Sequence, residues 1–164
     1  LLQTHSLAEI SVAEVARAAG LLRPAFYFYF AGKHEVVTEL LTRIFHDDVF
    51  TIGGSLAGGG DPRAAVADAM TRTFESWHKH RTLFRAMLDA RDTDPEARAI
   101  WHQWLQRYEQ LVGDFITTQP TIVIPAPDAL AHTLISMNER VLDRHVRSDD
   151  DVKAAVDFMV AKSQ

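Results

Sequence analysis

Five consecutive aromatic residues, Phe26 to Phe30, stand between Arg23 and Lys33 in the stretch RPAFYFYFAGK. Guanidinium, phenol and ammonium groups gathered this closely are the chemistry of nucleic-acid contact. An arginine can donate bidentately to guanine, and phenols and lysines reach phosphates. Pro24 and Gly32 argue against a strand here. A helix over 23–29 divides the aromatics instead. Phe26 and Phe30, four apart, turn inward as core. Tyr27 and Tyr29 face outward, and spacing leaves Phe28 unassigned.

Other reactive residue types do not assemble. His78 and His80 are two apart and fall on different helix faces, a poor chelate. His46-Asp47-Asp48 reads as a solvated helix end. The AGGG of 57–60 precedes a helix but lacks the lysine–serine of a phosphate loop. No nucleophile–base arrangement stands out. The expectation is therefore no enzyme, no catalytic residue, no metal site and no cofactor. The chain has no cysteine, which removes disulfides and thiolate ligands.

The elements that must position Arg23 and its neighbours are helices. Ser11 with Glu14 three places on is a capping-box signature. Val12, Val15, Ala16 and Ala19 follow at helical spacing, and Gly20 stands where a left-handed residue ends a helix. A helix over 12–19, a turn over 19–22 and a second helix over 23–29 make a helix-turn-helix. The second helix of such a unit enters the major groove with its N-terminal side chains toward base edges. Gly32-Lys33 opens the next helix, whose N–H groups and lysine favour a phosphate. That helix is amphipathic, with Val36, Val37, Leu40, Leu41, Ile44 and Phe45 on one face. Residues 15–34 hold Arg17, Arg23 and Lys33 and no acid, whereas residues 1–47 carry four basic and five acidic side chains. The region is not a general basic patch. Spacing alone leaves open a small helical module with exposed tyrosines that binds no DNA.

The whole chain has 164 residues, 47% hydrophobic content and a formal net charge of −5. That is enough for one or two globular domains, and the charge argues neither for a general polyanion binder nor for a disordered acidic tail. No apolar run approaches the ~20 residues that cross a bilayer, so no membrane partner and a cytoplasmic location are expected. Leu1 is not an initiator Met, so helical residues are expected before it. A removed targeting peptide also stays open. After residue 50 the period stays helical. GGSLAGGGD reads as a flexible joint. Asp61-Pro62 and Asp94-Pro95-Glu96 each pair an N-cap with proline at the first helical position. Helices are expected near 62–78, 81–90, 95–117, 128–146 and 150–162, with a proline-rich linker at TTQPTIVIPAPD. TIVI is β-like but too short for a sheet. The fold class is all-α, with a DNA-binding domain over 1–47 and a ligand-binding and dimerisation domain over 48–164.

ISVAEVARAAGLLRPAFYFYFAGKHEVVTELL resembles the DNA-binding signature of the TetR family of transcriptional regulators over about 32 residues. TFESW, IWHQWLQRY and MNERVLDRHV are similar to its EthR-like branch. The resemblance implies that the first three helices bind double-stranded operator DNA, the next four enclose a hydrophobic small-molecule effector, and the last two build a homodimer. It implies a ligand-responsive regulator, a repressor by family habit. Carried over by position, DNA contacts fall on Ser11, Val12, Arg23, Pro24, Ala25, Tyr27, Tyr29 and Lys33. Leu22 stands where a polar cap is usual and Ala25 where threonine is common, so two hydroxyl contacts to phosphate are missing.

The second half carries an aromatic stripe. Phe74 and Trp77 are three apart, and Trp101, Trp104, Tyr108 and Leu111 step by three, four and three, with Leu105 and Val112 alongside. Such a stripe is either plain core or the wall of an apolar pocket; the resemblance favours the pocket. Asn138 lies on an apolar helix face, where a buried amide must bond a neighbouring helix or a ligand. The resemblance favours the ligand, with Glu139 sharing the role, while Arg140 is expected to pair with a nearby acid. Leu142 and Phe158 are the expected dimer contacts. The competing reading is a helical carrier or interaction module for an apolar ligand that binds no DNA.

Overall fold

The computed structural model describes residues 1–58, 60–119 and 125–148, and these form seven α-helices with no strand among them. The all-α expectation holds. The helix expected over 150–162 and the TIVI stretch lie outside the described residues.

Local chemistry shapes the first two helices. Helix α1, Val12–Ala18, starts at a complete capping box. Glu14 N–H donates to Ser11 Oγ at 3.2 Å, and Ser11 N–H donates to the Glu14 carboxylate at 2.8 Å. The Ser11 backbone N–H and hydroxyl, both donating to it, hold the Glu14 carboxyl below its usual range. Gly20, at φ 69°, ends the helix. Leu21 N–H reaches Ala16 O at 2.8 Å and Gly20 N–H reaches Arg17 O at 3.1 Å. This bond pair needs a left-handed residue between helix and turn. Helix α2, Arg23–Tyr29, has proline in its first turn and no side-chain cap at Leu22. Phe26, 2% exposed, pins α2 to the core, and its ring lies tilted against that of Phe30, centroids 5.6 Å apart.

Helix α3, Lys33–Ala57, runs through most of the expected joint. Gly53 sits so close to Leu111 that a Cβ there would lie 3.3 Å from Leu111 Cδ1. Gly53 and Gly54, near the C-terminal end of α3, cost about 1 kcal/mol each in propensity; close packing of α3 holds the helix over them. The helix also passes residue 47, the expected domain boundary, without a break. Its buried stripe is Val37, Leu41, Phe45 and Ile52, narrower than expected: Leu40 is exposed and Val36 and Ile44 are half-buried.

Four further helices surround α3's second half: α4, Pro62–Lys79; α5, Arg81–Thr93; α6, Pro95–Thr118; and α7, Pro127–Arg147. The Asp61 and Asp94 carboxylates accept from Arg63 N–H and Glu96 N–H at 3.1 and 2.9 Å, the N-caps expected of them. α6 and α7 approach closely at Gly113, where a Cβ would lie 3.3 Å from Asp128 Oδ1 and 3.8 Å from Ala131 Cβ. One continuous core joins Leu7, Val37, Leu41 and Phe45 to Trp77, Phe84, Trp101 and Val146. The Trp77 and Phe84 rings stack at 4.1 Å. α3 is therefore a single rod with one end beside α2 and the other inside the bundle.

Candidate functional site

The face of α2 turned from the core carries Arg23, Pro24, Tyr27, Phe28 and Tyr29, all exposed. Ala25 and Val12 are half-buried. Ser11 is exposed, its hydroxyl engaged by Glu14 at 2.7 Å. Arg23 lies over the Tyr27 ring, 5.7 Å from its centroid, with Nη2 3.4 Å from the phenol oxygen. This contact pre-orders both groups. Phe28 is 83% exposed, and Leu22 78%. On a 100° wheel Phe28 lies almost opposite the buried Phe26–Phe30 edge, so it is the most outward side chain of α2. Spacing left Phe28 unassigned because neighbouring aromatics are indistinguishable by pattern until the inward edge is known.

Lys33 differs from the expectation of a free phosphate contact. Its Nζ donates to Ala8 O at 2.9 Å and Ile10 O at 2.7 Å, across more than twenty residues of chain. Two of its three donors thus tie the segment before α1 to the start of α3.

A cavity of about 240 Å³ opens in the bundle between α3, α4, α6 and α7. Of the ten residues expected on a pocket wall, Trp77, Leu105, Tyr108, Val112, Asn138 and Glu139 line it. Phe74, Trp101, Trp104 and Leu111 do not. Trp101 is 1% exposed in the core, with Phe45 and Trp77 edge-on to it. Trp104 stacks on Phe45, Phe74 lies against His145, and Leu111 meets Gly53. The stripe is thus part wall and part core, because α6 is flanked by α3 and α5 as well as by the cavity.

Sequence reasoning missed Phe45, Met70, Phe115 and Ile135 on this wall. Phe45 shares one face with ordinary core residues, so no local signal marks it.

The wall is apolar apart from a few groups. Thr73 donates to its own helix at Ala69 O. Glu139, expected to share the ligand role of Asn138, lines the cavity and accepts from the Arg91 guanidinium and from Trp101 Nε1 at 3.3 Å. The Asn138 amide and the Tyr108 hydroxyl have no hydrogen-bond partner among the described residues. Burial pushes the Tyr108 phenol far above its ordinary value, so it stays a neutral donor. Arg140 makes no ion pair among the described residues; Arg91 takes the acids instead, with Asp143 at 3.5 Å as well as Glu139.

Leu142, the expected dimer contact, is 4% exposed and lines the cavity. The α7 apolar residues with exposed surface are Leu134, Met137 and Val141, at steps of three and four, and Leu134 also borders the cavity. Phe158 lies outside the described residues. No helix among the described residues is long and apolar enough to cross a membrane.

A helix-turn-helix joined by one rod to a helical bundle with an apolar cavity defines a DNA-binding regulator of the one-component kind. Residues 1–40 match the family model described as bacterial regulatory proteins, tetR family, and residues 66–161 match that of the transcriptional regulator EthR, C-terminal domain. The chain is 32% identical over 148 residues to the HTH-type transcriptional regulator EthR of Mycolicibacterium smegmatis. It is 33% identical over 152 residues to the regulator of that name from Mycobacterium tuberculosis. Each match covers 87% of this chain and 68% of the relative. The chain belongs to the TetR family of transcriptional regulators, in its EthR-like branch. It is a regulator rather than an enzyme, from a family that binds operator DNA and small-molecule effectors and works as a dimer.

Proposed function

We propose that this protein is a cytoplasmic homodimeric repressor that leaves its operator when a largely apolar molecule occupies the bundle cavity. The observation that carries this reading is the continuity of α3. One end of that helix begins at Lys33, beside α2, and its Phe45, Ile52 and Leu56 line the cavity. Filling the cavity displaces the wall, and a rigid rod passes that displacement to α2. The domain division is proposed at about residue 47, within α3 rather than at a joint.

On the DNA side, Arg23, Pro24, Tyr27, Phe28 and Tyr29 are proposed to meet the major groove. Phe28 would take the thymine methyl, for which apolar side chains are suited. Ser11, Val12 and Ala25 flank that face, and Lys33 supports it from behind. On the ligand side, Tyr108 and Asn138 offer a phenol donor and an amide to one polar group of an otherwise apolar molecule. Asn138→Leu should weaken ligands carrying such a group and spare wholly apolar ones. The unpartnered apolar stripe of α7 is proposed as part of the twofold interface.

The test is selection of a bound operator from random duplex DNA, followed by affinity measurement with and without the molecule that the protein retains from a lipid extract. Loss of affinity at saturating ligand supports the reading. A protein that retains a molecule but selects no duplex is a carrier instead.

A further inference from the structure

A second recess lies beside the apolar cavity and shares two of its wall residues, Leu105 and Glu139. Its character is different: Arg91, Asp92, Arg98, His102 and the Trp101 edge complete it. The two spaces follow one stripe of α6. Arg98 and His102 are a turn apart, Leu105 comes next, and Tyr108, Val112 and Ile116 continue along the cavity. From Arg98 to Val112 the helix rises about 21 Å, from a cationic end to an apolar one.

The charges in the recess are not equivalent. Arg91 is consumed by Glu139, Asp92 and Asp143. Arg98 has no acid partner among the described residues. Its Nε and Nη2 donate to the carbonyls of Arg91 and Asp92 at 3.2 and 3.3 Å. Two backbone acceptors thus fix the guanidinium in orientation, leave its charge uncompensated, and keep further N–H donors uncommitted. His102 also has no hydrogen-bond partner among the described residues. An oriented guanidinium beside an imidazole, next to an apolar cavity, is suited to one carboxylate. Asp92 and Glu139 border the same recess and disfavour a head group of higher negative charge.

We propose that the recess is the head-group site for a single-chain amphiphile with a carboxylate. Arg98 and His102 hold the head, and the chain passes Leu105 into the apolar cavity. This rests on the reading of the cavity as the effector site and names the chemical class of the effector.

Dodecanoate and dodecan-1-ol share a chain and differ in the charged head, so together they separate the two readings. Binding is measured by tryptophan emission and by equilibrium dialysis on the whole chain. The parent should bind dodecanoate at least tenfold more tightly than dodecan-1-ol. R98Q and H102Q should each reduce that preference, and the double variant should abolish it while dodecan-1-ol affinity stays within about twofold of the parent. Because the parent comparison requires no substitution, instability of R98Q cannot hide the result. Equal affinity of the parent for both compounds overturns the head-group site but leaves the cavity reading intact. So does a loss in R98Q that affects acid and alcohol alike. Failure of both compounds to bind overturns the head-group site and the apolar-effector reading together.

Discussion

The ring of Phe45 on α3 stacks on the ring of Trp104 on α6, with centroids 4.4 Å apart and planes 23° from parallel. Phe45 also lines the apolar cavity and touches Tyr108 ring-to-ring at 5.3 Å. One side chain thus links the proposed ligand space to the rod that carries α2. Phe45→Leu keeps an apolar contact but removes the stacked plane, costing about 0.5–1.5 kcal/mol for the ring pair. Operator affinity without ligand should stay near the parent's. Ligand-induced loss of affinity, of order 5- to 150-fold for typical allosteric coupling, should shrink toward none. Gel-shift titrations at saturating ligand measure both numbers, and an undiminished ligand effect would assign the coupling elsewhere.

On the DNA face the side chains should separate by role. Arg23→Ala should relax base preference at one operator position, at about 1–3 kcal/mol of discrimination. Phe28→Ala should weaken operators that carry thymine at its contact and leave others unchanged. Lys33→Ala should do something else. Its ammonium holds the Ala8 and Ile10 carbonyls, so its removal should lower thermal stability by about 1.5–3 kcal/mol. Unchanged melting with a salt slope reduced by about one would instead make Lys33 a phosphate contact.

For assembly, α7 presents two apolar sides with opposite expectations. Met137→Asp, on the exposed stripe, should give a folded monomer by light scattering, with weakened operator binding. Leu142→Asp places a charge among buried residues and should destabilise the fold by about 3 kcal/mol or more. A dimer that survives Met137→Asp would move the twofold interface off this stripe.

Gly54 sits in the last turn of α3, with nothing within 4 Å of a Cβ built on it. Gly54→Ala should therefore stabilise the protein by about 0.5–1 kcal/mol through the unfolded chain. Thermal melting reads this directly. No gain would mean that the glycine is needed for motion or for a neighbour beyond the described residues.

Between α3 and α4, Ser76 Oγ donates to the Asp48 carboxylate at 2.6 Å. Burial nevertheless raises the Asp48 carboxyl above its ordinary value, the Ser76 bond opposing the shift only in part. The folded state then holds this proton more tightly than the unfolded state does. Its contribution to stability is present at low pH and is lost as pH rises through the raised value. Asp48→Asn keeps a carbonyl acceptor for Ser76 and removes the charge. The variant should melt higher than the parent at pH 7, and the gap should close as pH falls toward 4. A gap that widens on acidification would reverse the assignment.

The sequence alone determined the features written in a few adjacent residues. The span of α1, the turn and α2 follow from the Ser11–Glu14 box, the left-handed Gly20 and Pro24, each acting through backbone bonds no more than five residues long. The starts of α4 and α6 follow from Asp-Pro pairs in the same way. Helical period also marked where apolar stripes lie. It did not say which neighbour each part of a stripe meets. A helix in a bundle touches several partners, and its rotation is set by all of them together. Only the tertiary structure put Tyr108 and Leu105 on the cavity and Trp104 and Leu111 against α3. Only it turned Leu142 inward, left Met137 outside, and carried α3 through Gly53 and Gly54. Lys33 shows the same limit: its partners Ala8 and Ile10 lie more than twenty residues away. Nothing within a helical turn of Lys33 encodes them, because a contact between distant segments exists only once packing has brought those segments together.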